Sequence, residues 1–334
     1  MNADFPPPRF EDGQDTAQAR KSLQNFLEWC VDHYDQLLLN EDPLEANDEE
    51  RELLAPLAAV GLVEEMRPGL YRPRARVFEL FGKFLATDLL ARQSADQVFQ
   101  IMFEQVYVVR NTSIQNGDDV LDLCTGCGVL GLFASDVAGS VTSIDISRRA
   151  LAFAEFNRAL NSPERTIEYH EGSLFEPLEP GRTFDVIQIN PPFDLVPPGE
   201  SHFLHSHGGI DGLDVTRACL EAAPRHLRPG GRFEIITRSP GTVDSPVLLG
   251  LLRDAFPTHD IEVHLLDVDK MRNHVAQFRK SPGYIKWACD LEEMGYTHNH
   301  CLFCRVAPAD RPDIRTLAPH EEVEACMRRV AVWG

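Results

Sequence analysis

The chain has 334 residues, of which 43% are hydrophobic, so it can bury the core of one large domain and a smaller one. Its 52 acidic and 32 basic residues give a formal net charge of −20, which argues against a general affinity for nucleic-acid phosphates. No apolar run approaches the roughly 20 residues that cross a bilayer, and the first residues lack a signal-peptide pattern. We therefore expect a cytoplasmic protein that does not enter a membrane.

Residues 1–93 are predicted to form a smaller, mostly helical domain. Apolar residues recur every three or four positions from Leu23 to Leu38, and Asn47 with Glu50 resembles a capping box that opens a second helix. Two extended runs around a Pro-Gly pair then predict a hairpin. This order resembles a winged helix, which binds DNA in some proteins and acts as a cap or homodimer interface in others. The acidity favours a cap or dimer role, although a plain helical packing domain fits the sequence equally well.

Residues 94–310 alternate between helical and β-rich runs, which predicts an α/β fold with a mostly parallel sheet and helices on both faces. A helix is predicted from Asp96 to about Val109, before the first strand, and residues 311–334 are predicted to form a helical tail. The seven candidate strands are Val120–Cys124, Val141–Asp145, Thr166–His170, Phe184–Ile189, Arg232–Thr237, Ile261–Asp267 and His300–Val306.

The first candidate strand leads directly into a turn that contains glycines and then into a helix. Such glycines let the backbone approach a ligand, and the helix start presents free N–H groups. Asp145 ends the next strand, where its carboxylate could accept hydrogen bonds from ribose hydroxyls. The turn lacks the full GxGxxG spacing of dinucleotide binders, but alone it would suit NAD, FAD or S-adenosylmethionine equally. Asp122 either lies near the amino-acid end of such a cofactor or only braces the amides of the turn.

The fourth candidate strand ends in Asn190, Pro191, Pro192 and Phe193, at the same edge of the sheet as the glycine turn. The Asn190 side-chain oxygen and the Pro191 carbonyl can accept hydrogen bonds from an NH2 group and aim its nitrogen at a methyl group. The prolines fix the backbone, and Phe193 offers a flat stacking surface. The competing interpretation is a simple strand terminator, which the preceding glycine turn and acidic residue disfavour.

These motifs together resemble the release-factor glutamine methyltransferase group of amino-methyltransferases. The resemblance covers about residues 94–240 and includes Gly172–Leu178, Gly208–Leu213 and Leu227–Gly231. It implies a Rossmann-like, seven-stranded methyltransferase sheet, S-adenosylmethionine as cofactor, no metal, and catalytic residues at 190–193. The cofactor-binding residues that it implies are Asp122, Cys124, Thr125, Gly126, Gly128, Asp145, Ile146, Ser173, Leu174 and Asn190.

The sequence departs from this group at three positions. Cys124 stands where the group usually has the first glycine of the turn, and Phe193 replaces the usual tyrosine. Ser173 stands where an aspartate usually contacts the adenine amine, so we expect adenine contacts from backbone amides near Ser173 and Leu174. The segment between Phe193 and the Gly208–Leu213 motif carries His202, His205 and His207. This segment is either a lid that holds a general base or a solvated loop.

The leading prediction is therefore N-methylation of an amide or amine on a protein or small-molecule acceptor. A first alternative is the exocyclic amine of a nucleobase in tRNA, rRNA or DNA. A second is a small-molecule transferase that uses S-adenosylmethionine for O-methyl or non-methyl chemistry.

Cys301 and Cys304 do not complete a zinc motif, and in a strand their spacing would point the sulfurs to opposite faces, so we expect reduced structural cysteines.

Overall fold

The structure is a computed structural model, and it describes residues 5–11, 14–33, 43–161, 164–200, 202–278 and 282–317. Within this part of the chain lie a nine-stranded sheet, a three-stranded sheet and a two-stranded hairpin. The elements of the first third are α1 (Thr16–His33), β1 (Leu44–Glu45), α2 (Asp48–Ala59), β2 (Val63–Arg67), β3 (Leu70–Pro73), β4 (Arg76–Leu80) and β5 (Lys83–Thr87).

The remaining elements build the large sheet and its covering helices. They are α3 (Phe103–Asn111), β6 (Asp119–Leu123), α4 (Val129–Ala134), β7 (Ser140–Asp145), α5 (Arg148–Asn161), β8 (Glu168–Glu171), β9 (Phe184–Ile189), α6 (Asp214–His226), β10 (Leu227–Thr242), β11 (Ser245–Pro246), α7 (Val247–Ala255), β12 (His259–Lys270), α8 (Met271–Phe278), α9 (Pro282–Glu293), β13 (His298–Pro308) and β14 (Ile314–Leu317).

The large sheet has the strand order β14-β12-β13-β10-β9-β6-β7-β8, with β11 paired to β10. The five strands from β10 to β8 are mutually parallel, whereas β13 is antiparallel to both of its neighbours. The predicted mostly parallel α/β sheet is confirmed, and the seven predicted strands correspond to β6–β10, β12 and β13. From β6 the chain moves first to β7 and later returns to β9 on the other side. Ligands of open α/β sheets bind at such a reversal, beyond the carboxyl ends of the strands.

Apolar side chains cover both faces of this sheet. Leu130 of α4 and Phe153 of α5 pack on one face, while Leu220 of α6 and Leu252 of α7 pack on the other. Cys301 and Cys304 are buried on opposite faces, as their spacing predicted. Among the described residues, no group of three or more His, Cys, Asp and Glu side chains is arranged to hold a metal ion. No helix in the same ranges is both long and apolar enough to cross a membrane.

The first third of the chain follows the predicted order of helices and hairpin. The capping box is present, since the Glu50 N–H donates to Asn47 Oδ1 at 3.0 Å and the Asn47 N–H donates to Glu50 Oε2 at 2.8 Å. Strands β2 and β3 form the predicted hairpin. A second hairpin, β4 with β5, was not predicted. It is held on α5 by Asn157, which bonds both the N–H and the carbonyl of Ala86.

Two predicted helices differ from the structure. The helix expected from Asp96 begins only at Phe103, so α3 is shorter than predicted. Residues 96–102 are held outside a helix because the Val98 N–H donates to the Asp88 carboxylate at 2.8 Å. The helical tail is wrong at Ile314–Leu317, which pair in parallel with β12 and extend the sheet. The rest of that tail, from residue 318, lies outside the described residues, as does part of the periodic run near Leu38.

Candidate active site

A cavity of about 660 Å³ lies beyond the carboxyl ends of β6, β7 and β9, where the strand order reverses. Its size is that of a small-molecule site. The predicted site residues that line it are Cys124, Thr125, Gly126, Asp145, Ile146, Ser173, Leu174, Asn190, Pro191, Pro192 and Phe193. The fold thus brings the glycine turn, the acidic strand end and the Asn-Pro-Pro-Phe segment into one cavity.

The turn after β6 has an unusual backbone. Cys124, Gly126 and Gly128 all have positive φ angles, of 57°, 55° and 82°. At Gly128 a Cβ atom would lie 2.7 Å from the Ala154 Cβ of α5, so this position requires glycine for packing. At Gly126 a Cβ atom would meet nothing within 4 Å, because this residue borders the cavity. The turn therefore packs on α5 at Gly128 and offers its backbone to a ligand at Gly126.

Asp122 lies beneath the turn rather than in the cavity. Its side chain is 0% exposed, and its Oδ2 accepts hydrogen bonds from Thr125 Oγ1 at 2.5 Å and from the Gly131 N–H at 3.0 Å. Burial raises the pKa of this carboxyl to about 7. Asp122 thus braces the turn, as the competing interpretation has it, and its contact with a cofactor stays a prediction. Asp122 and Gly128 are not among the residues that line the cavity.

Asp145 lies at the end of β7 and faces the cavity. One carboxylate oxygen accepts from the Gly126 N–H and the other from the Ser147 N–H, both at 2.8 Å. Burial raises the pKa of this carboxyl. Each oxygen keeps a second lone pair, so the side chain can still accept hydrogen bonds from a pair of hydroxyl groups.

One part of the cavity is lined by residues that follow β7 and β8. Ile146 is 55% exposed and lies directly after Asp145. The Gly172 N–H donates to the Asp145 carbonyl at 3.0 Å, which brings Ser173 and Leu174 beside the end of β7. Leu174 has a φ of 47°, a left-handed conformation that non-glycine residues rarely adopt. This arrangement exposes apolar side chains and backbone groups together.

The Asn-Pro-Pro-Phe segment begins directly after β9. Asn190 Oδ1 is buried and accepts no hydrogen bond from any described residue. Two glycines of the following motif press against Phe193: a Cβ at Gly208 would lie 2.7 Å from the Phe193 Cα, and one at Gly212 would lie 2.5 Å from its carbonyl oxygen. The glycine motif therefore fixes the backbone of the segment, while the Asn190 oxygen is left for a ligand.

The histidine segment, residues 202–207, lines the cavity, with Leu204 and His207 exposed to solvent. His202 Nε2 lies 2.9 Å from Asp194 Oδ2, and the Leu204 N–H donates to the Ala95 carbonyl at 2.8 Å. His205 stacks on Phe99 with ring centroids 4.7 Å apart. Burial lowers the pKa of His205 to about 4, so its imidazole is neutral at pH 7.

Residues 96–105 and Arg238 also line the cavity, and the sequence did not predict them. Gln97 anchors this segment by donating to the carbonyls of Leu89 and Arg92. Gln105 was the available signal, because its Oε1 accepts from the Met102 N–H at 2.8 Å, as a residue in the first turn of a helix does. That pattern would have placed the start of the helix near residue 103 instead of 96.

The family model described as Methyltransferase small domain matches residues 91–262, more than half of the 334 residues. The chain belongs to this family. The matched range contains β6 to β10 and the lining residues of the cavity from Asp96 to Arg238. It begins close to the start of the large domain predicted from the sequence, at residue 94.

Relatives of this family member include two kinds of glutamine methyltransferase. A ribosomal protein uL3 glutamine methyltransferase of Bradyrhizobium diazoefficiens is 39% identical over 122 residues, which cover 34% of this chain and 38% of the relative. A release factor glutamine methyltransferase of Synechocystis sp. is 34% identical over 162 residues, covering 44% of this chain and 52% of the relative. The chain thus spans about half or less of the length of these relatives.

Solved structures also match the chain at low identity. A SAM-dependent methyltransferase from Agrobacterium tumefaciens gives a TM-score of 0.45 at 19% identity and covers 70% of each chain. A 16S rRNA N2 G1207 methyltransferase from T. thermophilus gives a TM-score of 0.42 at 16% identity, covering 78% of this chain and 60% of that one.

Proposed function

We propose that this protein methylates the side-chain nitrogen of a glutamine in a protein acceptor, with S-adenosylmethionine as the methyl donor. The observation that carries the proposal is the buried Asn190 Oδ1, which faces the cavity without a hydrogen-bond donor. An acceptor oxygen of this kind suits an NH2 group. The names of the two glutamine methyltransferases that resemble the chain support the choice of a protein amide.

The lining residues fit the proposed cofactor. The Gly126 backbone borders the cavity with free space at its Cβ position, so it can lie against the amino-acid part of the cofactor. Asp145 would accept hydrogen bonds from the two ribose hydroxyls. The segment from Ser173 to Leu174 and the exposed Ile146 side chain would hold the adenine. Asp122 would act only indirectly, by keeping the turn in place.

When bound, S-adenosylmethionine supplies a methyl group to the attacking nitrogen and leaves as S-adenosylhomocysteine. Asn190 Oδ1 and the Pro191 carbonyl orient the NH2 group and stabilise the positive charge that develops on its nitrogen. Phe193 packs beside the acceptor. The segments 96–105 and 202–207 cover the cavity and exclude water, which strengthens these electrostatic interactions.

The acceptor class is tested by adding the purified protein and methyl-labelled S-adenosylmethionine to a cell extract, which is then separated into protein, RNA and metabolite fractions. We expect label in protein, released as methylamine on acid hydrolysis, because that treatment cleaves an N-methylated amide. Label in RNA would instead support the nucleobase amine, and label confined to metabolites would support a small-molecule acceptor.

Substitution of Asn190 tests the transfer site directly. Asn190→Ala should lower turnover by ~100-fold or more, because a positioned transition-state partner is removed. Its affinity for S-adenosylhomocysteine, measured by calorimetry, should stay close to that of the parent, since the proposed cofactor-binding groups lie at or just after the ends of β6, β7 and β8. Asn190→Asp keeps an oxygen acceptor and should retain partial activity.

The comparison requires that both variants melt at the temperature of the parent. Normal turnover of Asn190→Ala on the methylated fraction would contradict the proposed role of Asn190 and reduce the segment to a strand terminator. A failure of the parent to bind S-adenosylhomocysteine would contradict the proposed cofactor itself.

The division into a domain of residues 1–93 and a methyltransferase domain of 94–310 also remains part of the proposal. Two contacts favour the cap role for the first domain over a separate unit. The Phe10 ring stacks on Phe156 of α5 with centroids 5.0 Å apart, and Arg20 Nη1 donates to the Asn161 carbonyl. From Asp88 the chain leads directly into the segment that covers the cavity. A homodimer through this domain is the second proposed role.

A further inference from the structure

A second buried oxygen acceptor faces the cavity besides Asn190. Glu104 is only 6% exposed, and its Oε2 accepts no hydrogen bond from the described residues. It also forms no ion pair within these residues. Buried polar atoms are almost always hydrogen-bonded. Gln100 Oε1, which also lines the cavity, is a third such oxygen among the described residues, so the cavity is suited to a ligand that brings several hydrogen-bond donors.

The Glu104 carboxylate is held in this position by the fold. It belongs to the first turn of α3, whose start is fixed by the bond between the Met102 N–H and Gln105. The preceding backbone is tied to Asp88, and Asp88 is bound in turn by both Nε and Nη2 of Arg149, at 2.8 and 2.5 Å. Burial raises the pKa of Glu104. A carboxyl group fixed in this way cannot turn out into solvent to be satisfied by water.

The charged groups that influence Glu104 lie on the acceptor side of the cavity. They are Arg238 at the end of β10, Asp194 directly after Phe193, and Asp267 of β12. Arg238 Nη1 lies 3.5 Å from Asp267 Oδ2 but forms no hydrogen bond with a described residue. Asp194 directly follows Phe193 in the chain, so its electrostatic effect on Glu104 indicates that the Glu104 carboxyl lies near the Asn-Pro-Pro-Phe segment.

We propose that Glu104 binds the acceptor nitrogen together with Asn190, so that the enzyme selects a nitrogen carrying two N–H donors. This inference rests on the proposed function and gives the reason why the site would select a primary amide, whose nitrogen carries two hydrogens. An alcohol, a secondary amine or a carbon acceptor could not donate to both oxygens at once. Leaving one buried acceptor unpaired discriminates strongly against such groups.

The same carboxylate has a role in the proton balance of the transfer. As the nitrogen–carbon bond forms, the carbon–sulfur bond breaks and its electron pair goes to sulfur. The nitrogen becomes positively charged and must lose one of its two hydrogens as a proton. Glu104 Oε2, already bonded to one of these hydrogens, receives that proton. The product nitrogen is then neutral and carries one hydrogen and the new methyl group.

Sinefungin tests this inference without knowledge of the acceptor. In this analogue an amine-bearing carbon replaces the methyl-bearing sulfur, so its ammonium group projects toward the acceptor side. We expect calorimetry to show tighter binding of sinefungin than of S-adenosylhomocysteine to the parent. Glu104→Gln should weaken sinefungin binding by ~10-fold or more, because a charge-assisted bond is lost, and leave S-adenosylhomocysteine binding unchanged.

Two further variants make the result decisive. Glu104→Asp keeps the charge on a shorter side chain and should retain part of the preference for sinefungin, which covers the case in which Glu104→Gln does not fold. Asp96→Asn is the matched control, because Asp96 is a lining carboxylate already bonded to Arg92 and Ser94, both at 2.7 Å. It should leave the ratio of the two affinities as in the parent.

If Glu104→Gln lowers the affinity for sinefungin and for S-adenosylhomocysteine equally, the inference is overturned and Glu104 lies at the cofactor end of the cavity. An unchanged ratio in a folded Glu104→Gln would overturn it as well. Both outcomes still show that the parent binds S-adenosylhomocysteine. They are therefore distinct from a failure of the proposed function, in which the parent binds neither ligand.

Discussion

Asp122 illustrates how a single buried carboxyl can support a ligand site without touching the ligand. Its Oδ2 joins the side chain of Thr125 to the backbone of Gly131, so it links the two ends of the glycine turn. The cost is the burial of an ionisable group, which raises its pKa to about 7. The turn therefore becomes sensitive to pH through a residue that lies outside the cavity.

The stability of the protein should depend on pH through Asp122. Below about pH 4 both the folded and unfolded states hold the proton, so the group contributes its full stability. Between about pH 4 and 7 the unfolded chain loses the proton while the folded chain keeps it, and this contribution falls as the pH rises. Urea unfolding without cofactor measures the free energy of unfolding of the parent and of Asp122→Asn. As the pH rises from about 4 to 7, we expect this free energy to fall in the parent relative to Asp122→Asn.

The shift can reach about 1.4 kcal/mol per pH unit for one group. Asp122→Asn is suitable because it cannot ionise and still offers an oxygen to Thr125 and Gly131. A difference between the two proteins that stays constant from pH 4.5 to 7.5 would show that the Asp122 pKa is not raised in the folded state.

Among the secondary-structure elements, α5 connects the site to the first third of the chain. Asn157 of this helix is 0% exposed, and its Oδ1 accepts from the Ala86 N–H at 2.7 Å. Its Nδ2 donates to the Ala86 carbonyl at 3.0 Å and to the Cys127 carbonyl at 2.8 Å. One side chain thus holds both the β4–β5 hairpin and the glycine turn against the same helix.

Replacement of Asn157 should therefore lower both the stability of the fold and the ligand affinity of the site. Asn157→Leu leaves the Ala86 and Cys127 backbone groups buried without partners, and we expect a loss of ~2–5 kcal/mol in the free energy of unfolding. Under conditions where the variant is folded, calorimetry should show weaker binding of S-adenosylhomocysteine, because Cys127 lies in the turn.

Asn111→Ala is a suitable comparison, since among the described residues Asn111 Nδ2 donates to the Tyr107 carbonyl within its own helix and to no other group. Asn111→Ala should lower the free energy of unfolding by about 1 kcal/mol or less. Equal stability losses in the two variants would show that Asn157 does not hold the hairpin and the turn together.

At the scale of the whole molecule, the excess of acidic residues restricts the partners. The net charge of −20 repels phosphates over long distances, and several arginines are engaged by carboxylates. Arg182 and Arg228, for example, both bond the carboxylate of Asp119 at the amino end of β6. These positive groups lie at the edge of the sheet opposite the cavity, so they would not guide a nucleic acid to the site.

We therefore expect no general affinity for nucleic acid. Gel-shift titrations with tRNA and with duplex DNA at moderate salt should show no binding in the sub-micromolar range. A bovine serum albumin lane controls for nonspecific retention. Sub-micromolar binding that weakens steeply with added salt would contradict this expectation and promote the nucleobase-amine alternative.

The sequence by itself determined the elements whose signals are local. Runs rich in apolar residues gave β6 and β9, because a strand buried on both faces is mostly apolar along its length. Positive φ angles favour glycine, as at Gly126 and Gly128, so the turn too is readable from residue types, although Cys124 adopts such an angle without being glycine. Asn190 was identified by its place after a strand, since parallel strands deliver their carboxyl ends to one edge.

Only the tertiary structure decided which residues complete the cavity. Residues 96–102 follow a helical pattern, but the Asp88 carboxylate captures the Val98 N–H and Arg149 of α5 holds Asp88 in place. The contact between Asp88 and Arg149, which are 61 residues apart in sequence, thus outweighs local helix propensity. The same contacts bring Glu104 into the cavity and bury it there. No local pattern encodes that burial, because it depends on segments that meet only after the sheet and its helices have packed.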